Sequence, residues 1–243
     1  MISKIQKCRS CKKKNLKKLF SLGNIPLSGI FPKKNEKVDT GNLTLVICKN
    51  CKLVQLDRNF SLKKMYGENY GYRTGLNKSM VNHMKQKSNF LKKFIGNKNK
   101  KNVILDIGSN DGTFLSFFKE KNFIKYGIDP TIKNFKKFYD KNIFKIENFF
   151  TYKSFIKKSN KKADLITCMS MLYDLPDPEK FIKDIYLSLN ENGVWHTEQS
   201  YLKTMLRKNS YDTICHEHLE YYTLTSLKYL FDKVGLKIID IKL

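Results

Sequence analysis

From residue 102 onward, short apolar runs alternate with amphipathic stretches. Runs of apolar β-formers predict strands at 102–107, 124–129, 143–147, 163–169, 192–197 and 236–242. Apolar positions at helical spacing predict helices near 112–121, 131–141, 151–159, 177–190 and 223–234. Strands and helices in strict alternation point to an α/β fold, a parallel sheet with helices on both faces. Ligands of such sheets bind outside the carboxyl ends of the strands, where the strand order reverses. Before this region, 61–98 reads as helical, with a partial stripe of Val81, Met84, Phe90, Leu91, Phe94 and Ile95. It opens on an aromatic cluster, Tyr66, Tyr70 and Tyr72 with Arg73, and is followed by a polar linker at 96–101.

The chain has 243 residues, 41% apolar and 13% aromatic, enough to bury a sizeable core. No apolar run approaches the ~20 residues that span a bilayer, and the first residues hold no apolar signal core. The expectation is a soluble, cytoplasmic protein without a membrane partner. A net charge of +25 suggests nucleic acid, but its make-up does not: 43 of the 47 basic residues are Lys and 4 are Arg. Readers of bases and phosphates lean on the bidentate Arg fork. Lysines spread along the whole chain among many asparagines fit a coding bias with solvated faces. A positive surface would still attract an anionic substrate such as a nucleotide sugar.

Two C-x-x-C pairs, Cys8 with Cys11 and Cys48 with Cys51, mark the first segment. Two such knuckles present four thiolates to one tetrahedral Zn2+, and a fully cysteinate site has no open position, so the metal is expected to be structural. Disulfides are the alternative, disfavoured in a reducing compartment. A redox pair is disfavoured because neither C-x-x-C opens a helix after a strand.

The predicted strand 102–107 ends in Leu105-Asp106-Ile107-Gly108-Ser109-Asn110-Asp111-Gly112. Glycines at a strand-to-helix turn let backbone approach a ligand. An acid some twenty residues on, Asp129 before Pro130, closes the next strand where a ribose would sit. The spelling is not G-x-G-x-x-G; it resembles the first motif of class I S-adenosylmethionine (SAM) methyltransferases. That likeness implies Asp106, Gly108, Ser109, Asn110, Gly112, Asp129, Met169 and Tyr70 as cofactor contacts. Asp111 reads as a helix N-cap with Gly112 as the first helical residue.

The densest polar stretch is 210–222, with Cys215-His216-Glu217-His218 at its centre. The histidines are two apart, not four, so it is no H-E-x-x-H zinc helix. A neutral imidazole takes a proton near pH 7, and a carboxylate beside it orients it. Cys215, His216 and His218 also form an alternative metal set.

Taken together, both cysteine pairs, Leu22-Gly23-Asn24-Ile25-Pro26-Leu27, Tyr70-Gly71-Tyr72-Arg73-Thr74, the 105–112 motif and Tyr211-Asp212-Thr213-Ile214-Cys215-His216-Glu217-His218 resemble the sugar-nucleotide C-methyltransferases of deoxysugar and surface-polysaccharide pathways. The resemblance implies a zinc-ribbon-like module at 1–60, a helical connector and cleft cover at 61–98, and a Rossmann-like SAM-binding methyltransferase domain at 99–243. It implies His218 as general base with Glu217 beside it. Tyr72, less surely Tyr70, would stand at the reacting sugar, with His216 or a tyrosine as donor to an enolate oxygen. The implied substrate is a nucleotide-linked 4-keto-deoxysugar, deprotonated beside its ketone and methylated on carbon. Methylation of an oxygen or nitrogen on a glycan or small molecule, or an inactive zinc-ribbon protein on nucleic acid, are the rival readings. Two departures stand out: Cys215 replaces a tyrosine, and the chain stops at 243, before the antiparallel strand and sugar-binding domain of that family. The expectation is a fragment, or a protein completed by a second chain.

Overall fold

The computed structural model describes residues 2–30, 32–61, 65–66, 70–95 and 100–243. The chain divides into two compact units, one of 71–169 and 187–198, the other of 1–70, 170–186 and 199–243.

In the first of these, strands β6 (Asn102–Ile107), β7 (Phe123–Ile128), β8 (Ile143–Ile146), β9 (Ala163–Met169) and β10 (Leu189–Glu198) form one all-parallel sheet in the order β10-β9-β6-β7-β8. Every residue of β6 is buried, as an apolar run at the centre of a parallel sheet requires. In register, Leu105 lies between Tyr126 and Ile166. The chain runs outward from β6 to β8, returns, and runs outward again through β9 and β10. The reversal therefore falls at the β6–β9 pair, which directs attention to the turn after β6. This is the parallel α/β sheet that the alternation predicts, with the Rossmann-like order that the resemblance implies. The core joins Met84 and Leu91 of α1 (Lys78–Leu91) and Phe114 and Leu115 of α2 (Thr113–Ser116) to Ile104 and Leu165 of the sheet. Asn77 caps α1 by accepting from Ser79 N and Met80 N. Helix α3 (Ile132–Phe135) follows β7, and α4 (Tyr152–Ser159), which opens on a Thr151–Ser154 capping box, precedes β9.

The other unit is antiparallel. Its β1 (Ser3–Lys4) pairs with β5 (Arg58–Asn59), and β2 (Leu16–Pro26), β3 (Thr40–Cys48), β4 (Val54–Leu56) and β11 (Glu220–Tyr221) form a sheet in the order β11-β4-β3-β2. Leu43, Leu45, Leu56, Phe60, Leu219 and Tyr221 lie in one core. Three further helices follow β9 in the chain: α5 (Pro178–Ser188), α6 (Leu202–Arg207) and α7 (Leu224–Asp232).

Three expectations change. The helices predicted at 112–121 and 131–141 shorten to single turns, Thr113–Ser116 and Ile132–Phe135. Ser116 Oγ donates to Thr113 O, which offers the backbone a partner outside the helical ladder. The strand predicted at 236–242 does not form. Its period-two alternation suits a strand, but a strand exists only where a neighbour takes its backbone groups. Among the described residues none does, and Ile239 and Leu243 are 69% and 91% exposed. Within 61–98 the described α-helix beyond single turns is α1, while 62–64, 67–69 and 96–99, with most of the predicted linker, lie outside the described residues. The compact units divide the chain by contacts rather than by the module bounds 1–60, 61–98 and 99–243. Segments 170–186 and 199–243 cluster with the first seventy residues, because β11 pairs with β4. No described helix is long and apolar enough to cross a membrane.

Candidate functional site

The turn after β6 takes three of its five residues into the left-handed region: Gly108 at φ 73°, Asn110 at 49° and Gly112 at 78°. At 112 only glycine fits, since a Cβ would lie 2.7 Å from the Tyr139 ring. The turn is fastened from both sides. Gly108 N donates to Ile128 O at 2.9 Å, and Asn110 N to Asp129 Oδ2 at 3.0 Å. Tyr139 Oη lies 2.7 Å from Ser109 Oγ and donates to Asn110 O at 2.9 Å. Asp129 Oδ1 accepts from Thr131 N and Oγ1, so this carboxylate already shapes the turn, with acceptor capacity left for one further donor. Asp106 closes β6, buried, and accepts from Thr167 Oγ1 at 2.6 Å. Burial pushes its carboxyl up to about 7, and the charge on Asp129 adds to the push. Met169 ends β9, partly buried against the same core. A backbone that avoids side chains, a buried acid and a second acid at the next strand tip fit a cationic ligand carrying a diol.

Asp111 does something the sequence does not predict. The N-cap position is Gly112, not Asp111. The Asp111 carboxylate accepts from Thr113 N and Oγ1 on one oxygen, and from Gly75 N at 2.9 Å and Arg73 Nη1 at 3.3 Å on the other. Thr74 N donates to Asn110 Oδ1, and Asn110 Nδ2 to Tyr72 O. Residues 72–75 are thus stitched to the glycine turn, and the Arg73 guanidinium lies 3.9 Å over the Phe138 ring. Tyr72 contributes its backbone here; its side chain is exposed. Tyr70 belongs to the other unit, its ring 5.2 Å from that of Tyr66.

The 215–218 stretch also lies in that other unit. His216 is fully buried and spends both ring nitrogens on structure. Nε2 donates to Gly41 O at 3.1 Å and Nδ1 accepts from Ser28 N at 3.2 Å, with Phe60 edge-on at 4.7 Å. In this arrangement both ring nitrogens of His216 are engaged within the fold, by Gly41 on one side and Ser28 on the other. His218 is arranged differently. Nδ1 lies 2.7 Å from Thr213 O, and a carbonyl only accepts, so Nδ1 carries the hydrogen and Nε2 the lone pair. The Tyr173 ring stands edge-on at 4.4 Å, and burial holds the imidazole below its ordinary value, which keeps it neutral. Glu217 packs on Gly29, where a Cβ would come within 2.2 Å of its carboxylate, and burial raises it. Cys215 is pushed up to about 11 by burial and stays a thiol.

The residue that the sequence reading misses is Asp174, in the turn Leu172–Asp174 after β9. It is buried and accepts from Tyr66 Oη at 2.7 Å. Burial and the nearby Glu217 push its carboxyl well above the usual range. The available signal was an acid in the otherwise apolar run Met171-Leu172-Tyr173-Asp174-Leu175 at a strand's carboxyl end.

The four cysteines of the two knuckles converge. Their sulfurs all lie within 4.8 Å of one another, with Cys8–Cys51 at 3.5 Å and Cys11–Cys48 at 3.4 Å. A tetrahedron with ~2.3 Å metal–sulfur bonds has edges of about 3.8 Å, so the donor set fits Zn2+. Gln55 Nε2 donates to Cys8 Sγ at 3.1 Å while its Oε1 accepts from Arg9 N, orienting the first knuckle from behind. Arg9 is itself buried, bonded to Leu56 O, Arg58 O and Asn59 Oδ1, and lies 3.5 Å from Glu220, whose side chain is fully buried.

Residues 80–241 match the family model described as "Methyltransferase domain", and residues 8–66 the one described as "Putative zinc binding domain". The chain is 27% identical to the C-methyltransferase NovU of Streptomyces niveus over 99% of its own length and 58% of that protein's. It is 31% identical to a tRNA U34 carboxymethyltransferase of Campylobacter jejuni subsp. doylei over 48% of the chain and 41% of the relative. The chain thus spans less than two thirds of these curated relatives. Among solved structures it is similar in fold to the plantazolicin methyltransferase BamL, solved in complex with a triazolic desmethylPZN analog and SAH. The TM-score there is 0.50 at 16% identity, over 65% of this chain and 63% of that one. It is also similar to an O-methyltransferase family protein from Burkholderia thailandensis, with a TM-score of 0.50 at 11% identity over 69% and 58%.

Proposed function

Because the chain belongs to the methyltransferase family that uses SAM, with a structural zinc site besides, we propose that it methylates carbon beside the ketone of a nucleotide-linked 4-keto-deoxysugar. SAM, when bound, supplies an electrophilic methyl group. Asp106, Gly108, Ser109, Asn110, Gly112, Asp129 and Met169 hold it, with Tyr70 a further contact. Gly108 lets the backbone approach the amino-acid end, and Asp129 accepts from the ribose. His218 removes the substrate proton through Nε2, with Glu217 beside it and Tyr72 at the sugar; His216 fixes the loop. The observation that supports this reading most is the Thr213 carbonyl on His218 Nδ1, which leaves the ring's lone pair on the opposite nitrogen. The similarity to a C-methyltransferase along nearly the whole chain supports carbon as the acceptor. The residues 1–60 act as the zinc module and 61–98 as the connector in this reading. The test is transfer of a carbon-13 methyl group to a nucleotide-linked 4-keto-6-deoxyhexose. A new methyl resonance on a ring carbon is the expected product, and a methyl on oxygen overturns the reaction type.

Asp106 adds a pH dependence. Its carboxyl titrates near 7 in the folded chain, and the sulfonium cation favours the ionised form. SAM affinity is expected to rise with pH up to about 7, by at most tenfold per unit, and to level off above it. The unliganded fold has the opposite sign: a raised pKa stabilises it at low pH, and that contribution is lost as pH rises through about 7. Calorimetric titration at pH 6, 7 and 8 checks this, with Asp106→Asn expected to flatten the profile.

A further inference from the structure

Asp174 is a buried acid that the reading above leaves without a task, and it adjoins a residue in contact with the proposed base. Its side chain lies in the turn that follows β9, and the neighbouring Tyr173 places its ring against His218. Leu219 N donates to Tyr173 O at 2.8 Å, which ties this turn to the residue after His218. The two carboxyl oxygens differ. Oδ2 accepts from Tyr66 Oη, as the carbonyl oxygen of a neutral acid does, while Oδ1 is buried and has no hydrogen-bond partner among the described residues. A buried donor with nothing to bind costs free energy that a ligand oxygen would return. Burial and the charge of Glu217 push the group toward the neutral acid, the Tyr66 hydrogen bond pulls the other way, and the net direction is upward.

Proton removal beside a ketone also needs a donor for the developing enolate oxygen. His216 has both nitrogens engaged, and Cys215 offers only a weak S–H donor. We propose that the Asp174 Oδ1–H group donates to the substrate's carbonyl oxygen during proton removal, an inference that rests on His218 acting as base on a keto substrate. His218 Nε2 takes the α-proton, the C–H electron pair becomes the new C=C bond, and the carbonyl π pair moves to oxygen, which the Asp174 hydrogen bond holds. Reversal in deuterated water returns a deuteron to carbon and restores the ketone.

The test uses the full zinc-loaded chain without SAM and a nucleotide-linked 4-keto-6-deoxyhexose in deuterated water, with mass spectrometry following deuterium uptake. Asp174→Ala is expected to slow uptake about 100-fold, the usual cost of losing one oxyanion donor. Asp174→Asn, which keeps an N–H donor, is expected to stay within about tenfold of wild type. Tyr66→Phe, which removes only the strut, is expected to cost less than about fivefold. SAM affinity and melting temperature separate these effects from misfolding. In wild-type protein labelled with carbon-13 at aspartate carboxyls, the resonance lost in Asp174→Asn is expected to be that of a neutral acid at pH 7. Wild-type uptake in Asp174→Ala, an ionised resonance, or an Asn variant as slow as Ala overturns the assignment. A wild type inert toward the probe overturns the parent reading and this assignment with it, whereas an active wild type matched by an active Ala variant overturns the assignment alone.

Discussion

Replacing His218 by alanine is expected to cut methyl transfer by about 10²–10⁴-fold, the worth of a positioned general base, and to leave SAM affinity within about twofold. The split follows from the architecture. Apart from Tyr70, the residues proposed to hold the donor belong to the parallel-sheet unit, whereas His218 sits in the antiparallel unit, fixed by Thr213 and Tyr173. A general base also leaves a signature in the pH profile: burial lowers the His218 pKa, so the acidic limb of the rate profile should lie below the ordinary imidazole value. Turnover of an alanine variant at the wild-type rate, measured with labelled SAM, would remove His218 from the mechanism.

The second large effect concerns the metal. A strong chelator, or Cys48→Ser, is expected to lower the melting temperature by on the order of 10 °C or more, because a structural zinc site contributes its binding free energy to folding. Cys8 and Cys48 are fully buried. Two of four sulfurs would then face each other without a cation in a site that solvent does not reach. Metal analysis of the purified chain is expected to give one zinc per molecule. A metal-free sample with an unchanged melting curve would show that the cysteines hold the unit without it.

The parallel sheet was open to reading because its strands are local apolar runs. The predicted 102–107 and 163–169 are the observed bounds of β6 and β9. The glycine turn was legible because left-handed backbone demands particular residues, and the knuckles because thiolate spacing is chemically narrow. The antiparallel unit was opaque because its contacts are remote in sequence: Glu220 pairs with Gln55, and Tyr66 meets Asp174 across 108 positions. Pattern alone also overcalled 236–242, where alternation exists without a neighbouring strand. His216 and His218, two residues apart, look alike in sequence. Their difference lies in which carbonyl or amide each nitrogen meets, and only folding supplies that.

The contact between Arg9 and Glu220 joins a guanidinium one position from a zinc ligand to a carboxyl group two positions beyond the proposed base, both out of reach of water. Breaking one half of such a pair costs about 3–5 kcal/mol, whereas exchanging both for apolar residues of like volume is close to neutral. Positions 9 and 220 are therefore heritable only as a couple. Lineages that lose one partner must lose the other soon after, and any descendant that has traded the pair for oil-like side chains should have done so at both ends together.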